Sequence, residues 1–165
     1  MSYTTPATGN EEGQLMYFGN YGTTIGNVKG GIDKTSYIGG KWNTHQCVSK
    51  TNQGNISGKV DNNPGEGYCA PACCCVAYST PGTKPGDWYL PMPGELYQIY
   101  ANKAAINEKR TALVDSGFSE NYSYWSSREN SSTGGYCVRL YNGIIGAGYG
   151  KNGSIYVLAF LALEV

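Results

Sequence analysis

Apolar positions change their spacing twice along this chain, and each change marks a different kind of element. From Met1 to about residue 66 they come as short fragments between turn residues: Leu15-Met16-Tyr17-Phe18, Thr24-Ile25, Tyr37-Ile38 and Ile56. Such fragments predict short strands. Tyr68 to Tyr78 is small and apolar throughout and predicts a short buried helix. Thr80 to Asp87 holds two prolines and two glycines and predicts a loop. Trp88-Tyr89-Leu90 then reads as a strand that must stop at Pro91. From Pro93 to about Asp115 the apolar residues Leu96, Ile99, Tyr100, Ile106 and Leu113 follow a three-and-four spacing. That spacing predicts a long helix, with Pro93 at its first position, Glu95 in its first turn and Gly117 as its stop. Tyr122–Ser127 and Cys137–Tyr141 read as strands. Asn142-Gly143 signals a hairpin. Ile144-Ile145 and the run Ser154–Leu163 read as further strands, the last one central. The expected class is α+β: two helices packed on short antiparallel sheets, rich in loops.

Composition narrows the class further. The 165 residues include 24 Gly and 15 Tyr, and only 15% are charged, which fits a protein built on turns and rings. Twelve basic and twelve acidic side chains balance, so nothing points to nucleic acid. No apolar run reaches transmembrane length, so membrane insertion is not expected. The first residues lack a signal peptide's basic patch and apolar core.

The candidate chemistry is sparse. His45 is the only histidine, which leaves no catalytic dyad and favours a surface or structural role. Cys69 and Cys73 would share a helix face, a spacing that can hold a metal. The setting of Cys73-Cys74-Cys75 favours reduced cysteines used as small core residues. No phosphate loop, G-x-S-x-G string or metal motif is present, so the reading is a non-enzyme without cofactor or metal.

Four strings stand in one order: "GDWYLPMPGELYQIYANKAAIN" (Gly86 to Asn107), "YSYWSS" (Tyr122 to Ser127), "YNG" (Tyr141 to Gly143) and "YVLAFLAL" (Tyr156 to Leu163). Together they resemble a bacterial and phage family of C-type lectin fold, with W-x-L-P at a helix start, then Y-W-S-S, an N-G hairpin and a final strand. The resemblance covers about residues 68 to 165. It implies one domain, with 1–66 as a strand- and loop-rich N-terminal part and 67–165 as a lectin-like core. Where the family has Ser or Thr after L-P, this chain has Met92, so half of the helix-start capping box is missing and Glu95 is expected to be structural. Calcium-lectin strings (E-P-N, Q-P-D, W-N-D) are absent. The fold also houses formylglycine-generating oxidases that use active-site cysteines, but Cys137 has no cysteine near it in sequence.

Within that fold, the same resemblance points further, to the variable proteins of diversity-generating retroelements, such as phage major tropism determinants. The resemblance implies a C-terminal region, about 122–157, diversified by copying adenines with errors. Asn codons altered at their first two bases never yield Met, Trp, Gln, Lys or Glu. Between Asn130 and Tyr156 only Lys151 belongs to that excluded set. The same segment mixes Tyr136, Tyr141, Tyr149 and Tyr156 with seven glycines, Ser and Asn, the mixture of antibody paratopes. Half-buried strand tyrosines are the plainer reading of the rings alone.

Strand alternation puts Tyr136, Val138 and Leu140 on one face and Cys137, Arg139 and Tyr141 on the other. The second face has hot-spot chemistry, with Tyr136 joining at its edge. The candidate ligand-binding set is therefore Arg128, Asn130, Tyr136, Arg139, Tyr141, Ile145, Tyr149, Asn152, Ser154 and Tyr156. Arg139, Tyr141, Tyr149, Asn152 and Tyr156 are expected to form one patch above a core of Trp88, Leu96 and Trp125. The expected function is recognition of a protein or glycan receptor on a bacterial surface, by a phage tail protein or at a cell surface, with virion or pilus subunits as further partners. The alternatives are a fixed bacterial surface or pilus-tip adhesin, and a structural domain of a phage tail.

Overall fold

The computed structural model describes residues 2–4, 15–26, 31, 34, 39–50, 65–113 and 121–161. The expected strands at Tyr37-Ile38 and Ile56, and the helix stop at Gly117, lie outside them. The described elements are β1 (Ser2–Thr4), β2 (Leu15–Tyr17), α1 (Gly40–Ser49), α2 (Ala70–Ala77), β3 (Trp88–Tyr89), α3 (Pro93–Ala101), α4 (Lys103–Leu113), β4 (Ser123–Glu129), β5 (Gly134–Arg139), β6 (Ile144–Gly150), β7 (Ser154–Tyr156) and β8 (Ala159–Leu161). The class is α+β, with four helices and two sheets among the described residues. The larger sheet runs β2-β7-β4-β5-β6 and is mixed, because β7 meets β4 in parallel at Tyr124 and Tyr156. The smaller runs β1-β8-β3. Segments from both ends of the chain pair with each other in both sheets, β1 with β8 and β2 with β7.

Three sequence expectations need correction here. The final apolar run is two strands, not one. Val157 and Leu158, both buried, carry the chain from the larger sheet to the smaller. An unbroken apolar run has no alternation to mark such a switch. The long helix is also two elements, α3 and α4. Asn102, at φ −110° and ψ 16°, sits between them, and both its amide and its Nδ2 donate to the Gln98 carbonyl, at 3.0 and 2.9 Å. Thirdly, α1 falls where only strands were expected, and Thr24-Ile25 is outside any strand. The buried face of α1 is Gly40, Asn43, Thr44 and Cys47, which has helical spacing but little hydrophobicity. Its polar members are satisfied individually. Asn43 Nδ2 donates to the Met92 sulfur at 3.0 Å, and the Thr44 hydroxyl accepts from the Leu90 amide at 3.0 Å.

The core has two apolar clusters. Adjacent strand residues feed opposite ones, as the two-residue period requires. Trp125 and Cys137 join Met16, Phe18, Trp88 and the cysteines of α2. Tyr124, Val138 and Leu140 join Leu96 and Ile99 of α3, with Leu158 and Phe160. Trp88, Leu96 and Trp125 are thus buried, as expected. All six cysteines are buried thiols outside any disulfide. Burial pushes the Cys74 thiol up to about 12, so it is a neutral core group at neutral pH.

Glu95 joins α3 to its surroundings. It accepts from the Met92 amide at 2.6 Å and from the Tyr89 hydroxyl at 2.6 Å. Burial raises its carboxyl above the usual carboxylate range, and these two hydrogen bonds only partly offset the rise. A raised acid binds its proton more tightly folded than unfolded. Its contribution is therefore complete below the ordinary carboxylate range and lost as pH rises through the raised value. Relative to Glu95→Gln, the parent protein is expected to lose stability as pH rises from the ordinary carboxylate range, about 4, toward the raised value. Urea midpoints of the two proteins across that range check this.

The β5–β6 turn gives another prediction. Gly143 has φ +72°, and its amide donates to the Arg139 carbonyl at 2.8 Å. A Cβ at this position would overlap the Tyr100 ring. Gly143→Ala is expected to cost about 2 kcal/mol from the left-handed backbone alone, read as a lower denaturation midpoint.

Candidate ligand-binding site

Sheet register builds the site. Ser123, Arg139 and Ile144 are neighbours across β4, β5 and β6, so they share one face. Tyr149 lies back along that face. A Cβ on Gly146 would run into its ring, so the glycine there allows the ring to lie flat against β6. The phenol oxygen accepts from Arg139 Nε at 2.9 Å and from Arg139 Nη2, and the guanidinium also stands 5.7 Å from the ring centroid. Cys137 lies buried near this pair. Burial takes its thiol to about 11, and Arg139 and the Tyr149 hydrogen bond pull only slightly the other way.

Beyond Tyr149 the surface opens into a groove of about 340 Å³. Its walls are Leu15, Tyr122, Ser123, Tyr149, Ile155 and Tyr156, with Gly150, Gly153 and Ser154 at its rim. Tyr122 stacks on Tyr156 with centroids 4.2 Å apart and planes 23° from parallel, and Tyr124 tilts against Tyr156 at 5.9 Å. Leu15 and Tyr122 are exposed, at 50% and 40%. The result is an apolar, ring-walled groove with an arginine beside it.

The expected residues divide as follows. Tyr149, Ser154 and Tyr156 line the groove, and Arg139 adjoins it through Tyr149. Tyr141 is exposed and close enough to Arg139 to influence its charge. Asn152 is exposed beside the rim, its Oδ1 next to Gly150. Asn130 is exposed at the end of β4, with Nδ2 near Gly148, and half-buried Arg128 is close to it in β4. Neither lines the groove. Ile145 packs on the α3 side of the sheet, paired with Val138. Tyr136 is a correction: at 9% exposure it belongs to the protein interior, because its face is the one that carries Val138 and Leu140. The groove also uses residues that were not anticipated. Tyr122 lies within the YSYWSS string and was visible as a ring at a strand start. Leu15 reaches the groove through pairing of β2 with β7, more than a hundred residues away in sequence, and no local pattern marks that.

Beneath the surface lies a buried ion pair. Lys151 Nζ is 2.8 Å from Glu129 Oε2 and donates to the Thr23 carbonyl at 3.0 Å. Glu129 also accepts from the amides of Ile25 at 2.9 Å and Gly26 at 2.5 Å. Lys151 is 0% exposed and Glu129 2%. Together they tie the β6–β7 connection, the end of β4 and the 23–26 loop into one unit. No family model matches the chain, and no curated protein matches it.

Proposed function

We propose that this protein is a ligand-binding protein of C-type lectin-like fold, not an enzyme, whose surface over about residues 122–157 is diversified by retroelement mutagenesis. We infer recognition of a protein or glycan receptor on a bacterial surface, most simply by a phage tail. One observation carries the reading. Within 122–157 the residue types unreachable from altered Asn codons are Trp125, Glu129 and Lys151, and all three are buried. A buried Trp is ordinary, but fully buried Glu and Lys are rare. The fixed residue types thus fall on the scaffold. Exposed Asn130, Tyr141, Asn142, Ile144, Asn152 and Ser154 all belong to the reachable set.

The chemistry of the surface supports the same reading. Tyrosines supply large amphipathic contact area at low rotamer cost, and Ser, Gly and Asn adapt to hydrogen-bonding partners. The sheet holds Tyr149 and Tyr156 in place before any ligand arrives, which lowers the entropic cost of binding.

A displayed library tests the platform. Positions 141, 144, 149, 152, 154 and 156 are randomised with the codon set reachable from Asn, and the library is selected against several unrelated proteins. A control library randomises the exposed α4 positions Ala105, Glu108 and Lys109. Folded binders are expected from the first library and few from the control. Equal yields from both, or none from the first, would reject the platform reading.

A further inference from the structure

Between Tyr122 and Tyr156 the charged residues are Arg128, Glu129, Arg139 and Lys151. Glu129 and Lys151 neutralise each other in the interior. The surface of this segment therefore carries arginine and no carboxylate, although the whole chain is balanced at twelve against twelve. Of the two arginines of this segment, Arg139 adjoins the groove through its hydrogen bonds to Tyr149. Among the described residues its partners are phenolic, and no carboxylate pairs with it. Nε and one Nη2 proton point at the Tyr149 oxygen. That leaves the terminal Nη1/Nη2 edge of the fork, two parallel donors, facing away from the pair. Held by Tyr149, the guanidinium is oriented in advance, which favours planar two-point recognition.

We propose that the ligand of this variant presents a carboxylate to the Nη1/Nη2 edge of Arg139, next to an aromatic or aliphatic group seated between Tyr149 and Tyr156. The inference rests on the binding reading above and gives it a ligand chemistry. One guanidinium matches the single charge of a carboxylate, whereas a phosphate monoester carries nearly two. The apolar walls of the groove supply the second anchor, and Tyr149 belongs to both.

The probes are N-acetyl-L-phenylalanine, its neutral amide and D-glucuronate, each titrated into ¹⁵N-labelled full-length protein while amide and arginine Nε resonances are followed. N-acetyl-L-phenylalanine is expected to shift Arg139 Nε and the amides of Tyr149 and Tyr156 at millimolar concentration. The amide is expected to bind roughly tenfold more weakly, or worse. Arg139→Gln, which is expected to shift resonances around Tyr149 but leave those of the core in place, is expected to erase that difference. Glucuronate shifting Arg139 as strongly as N-acetyl-L-phenylalanine would overturn the two-anchor proposal, because an acid without an apolar group would then bind as well. Equal shifts from acid and amide would overturn the inference while leaving the groove as a binding surface. No shift from any probe would also overturn it, and the library selection then decides the binding reading separately.

Discussion

Replacing Lys151 by Met is expected to cost about 3–5 kcal/mol, a large part of the stability of a domain this size. The methionine would fill most of the space but would leave the Glu129 carboxyl group buried without its 2.8 Å partner. It would also leave the Thr23 carbonyl without the donor at 3.0 Å. Both losses fall on one joint, where the β6–β7 connection meets the end of β4 and the 23–26 loop. The loop is held there by the Ile25 and Gly26 amides on Glu129. Urea denaturation gives the magnitude. Adding Glu129→Gln to Lys151→Met is expected to recover part of the loss, because it removes the unpaired carboxyl group and keeps one acceptor oxygen for the loop amides. A Lys151→Met protein as stable as the parent would show that the pair carries no structural load.

Trp125→Ala is expected to cost a comparable 3–5 kcal/mol, by another route. The indole is fully buried, its Nε1 donates to the Met16 carbonyl at 2.7 Å, and its ring meets Phe18 edge-on at 5.2 Å. Truncation opens a cavity between β4 and β2 and orphans a carbonyl of β2, the strand that brings Leu15 to the groove. The damage is therefore expected to reach the binding surface as faster amide exchange along β2. Trp125→Phe keeps most of the packing and loses the hydrogen bond, and is expected to cost clearly less. Together the two variants separate ring volume from the Nε1 contact.

The sequence was most legible where pattern and burial coincide. Val138 and Leu140 face the core and Arg139 faces outward, as alternation requires. Pro93 and Glu95 marked the start of α3, and Asn142-Gly143 marked the hairpin. It was least legible where the buried residues are polar. The hidden face of α1 is Gly, Asn, Thr and Cys, held by hydrogen bonds to Leu90 and Met92, and no hydrophobic period announces it. The site followed the same division. Tyr149 and Tyr156 were recoverable from composition, but the buried Glu129–Lys151 pair depends on contacts across 22 residues and on a loop more than a hundred residues upstream. Tyr136 lies inside β5 rather than at its start, because the strand begins two residues earlier at Gly134, where two glycines hide the onset of the pattern.

The central claim is a division within 122–157 between a fixed interior and a surface free to change. Sequencing this gene and the DNA beside it, from many copies in one population, tests that most directly. Amino-acid differences are expected to cluster within this window, at exposed or half-exposed positions such as Tyr141, Ile144, Tyr149, Asn152 and Ser154. The codons that differ are expected to match adenines in a nearby repeat. Trp125, Glu129 and Lys151 are expected to be constant. A window as constant as the rest of the gene, or differences that fall on those three buried residues as often as on the surface, would contradict the account and leave a fixed adhesin or assembly domain.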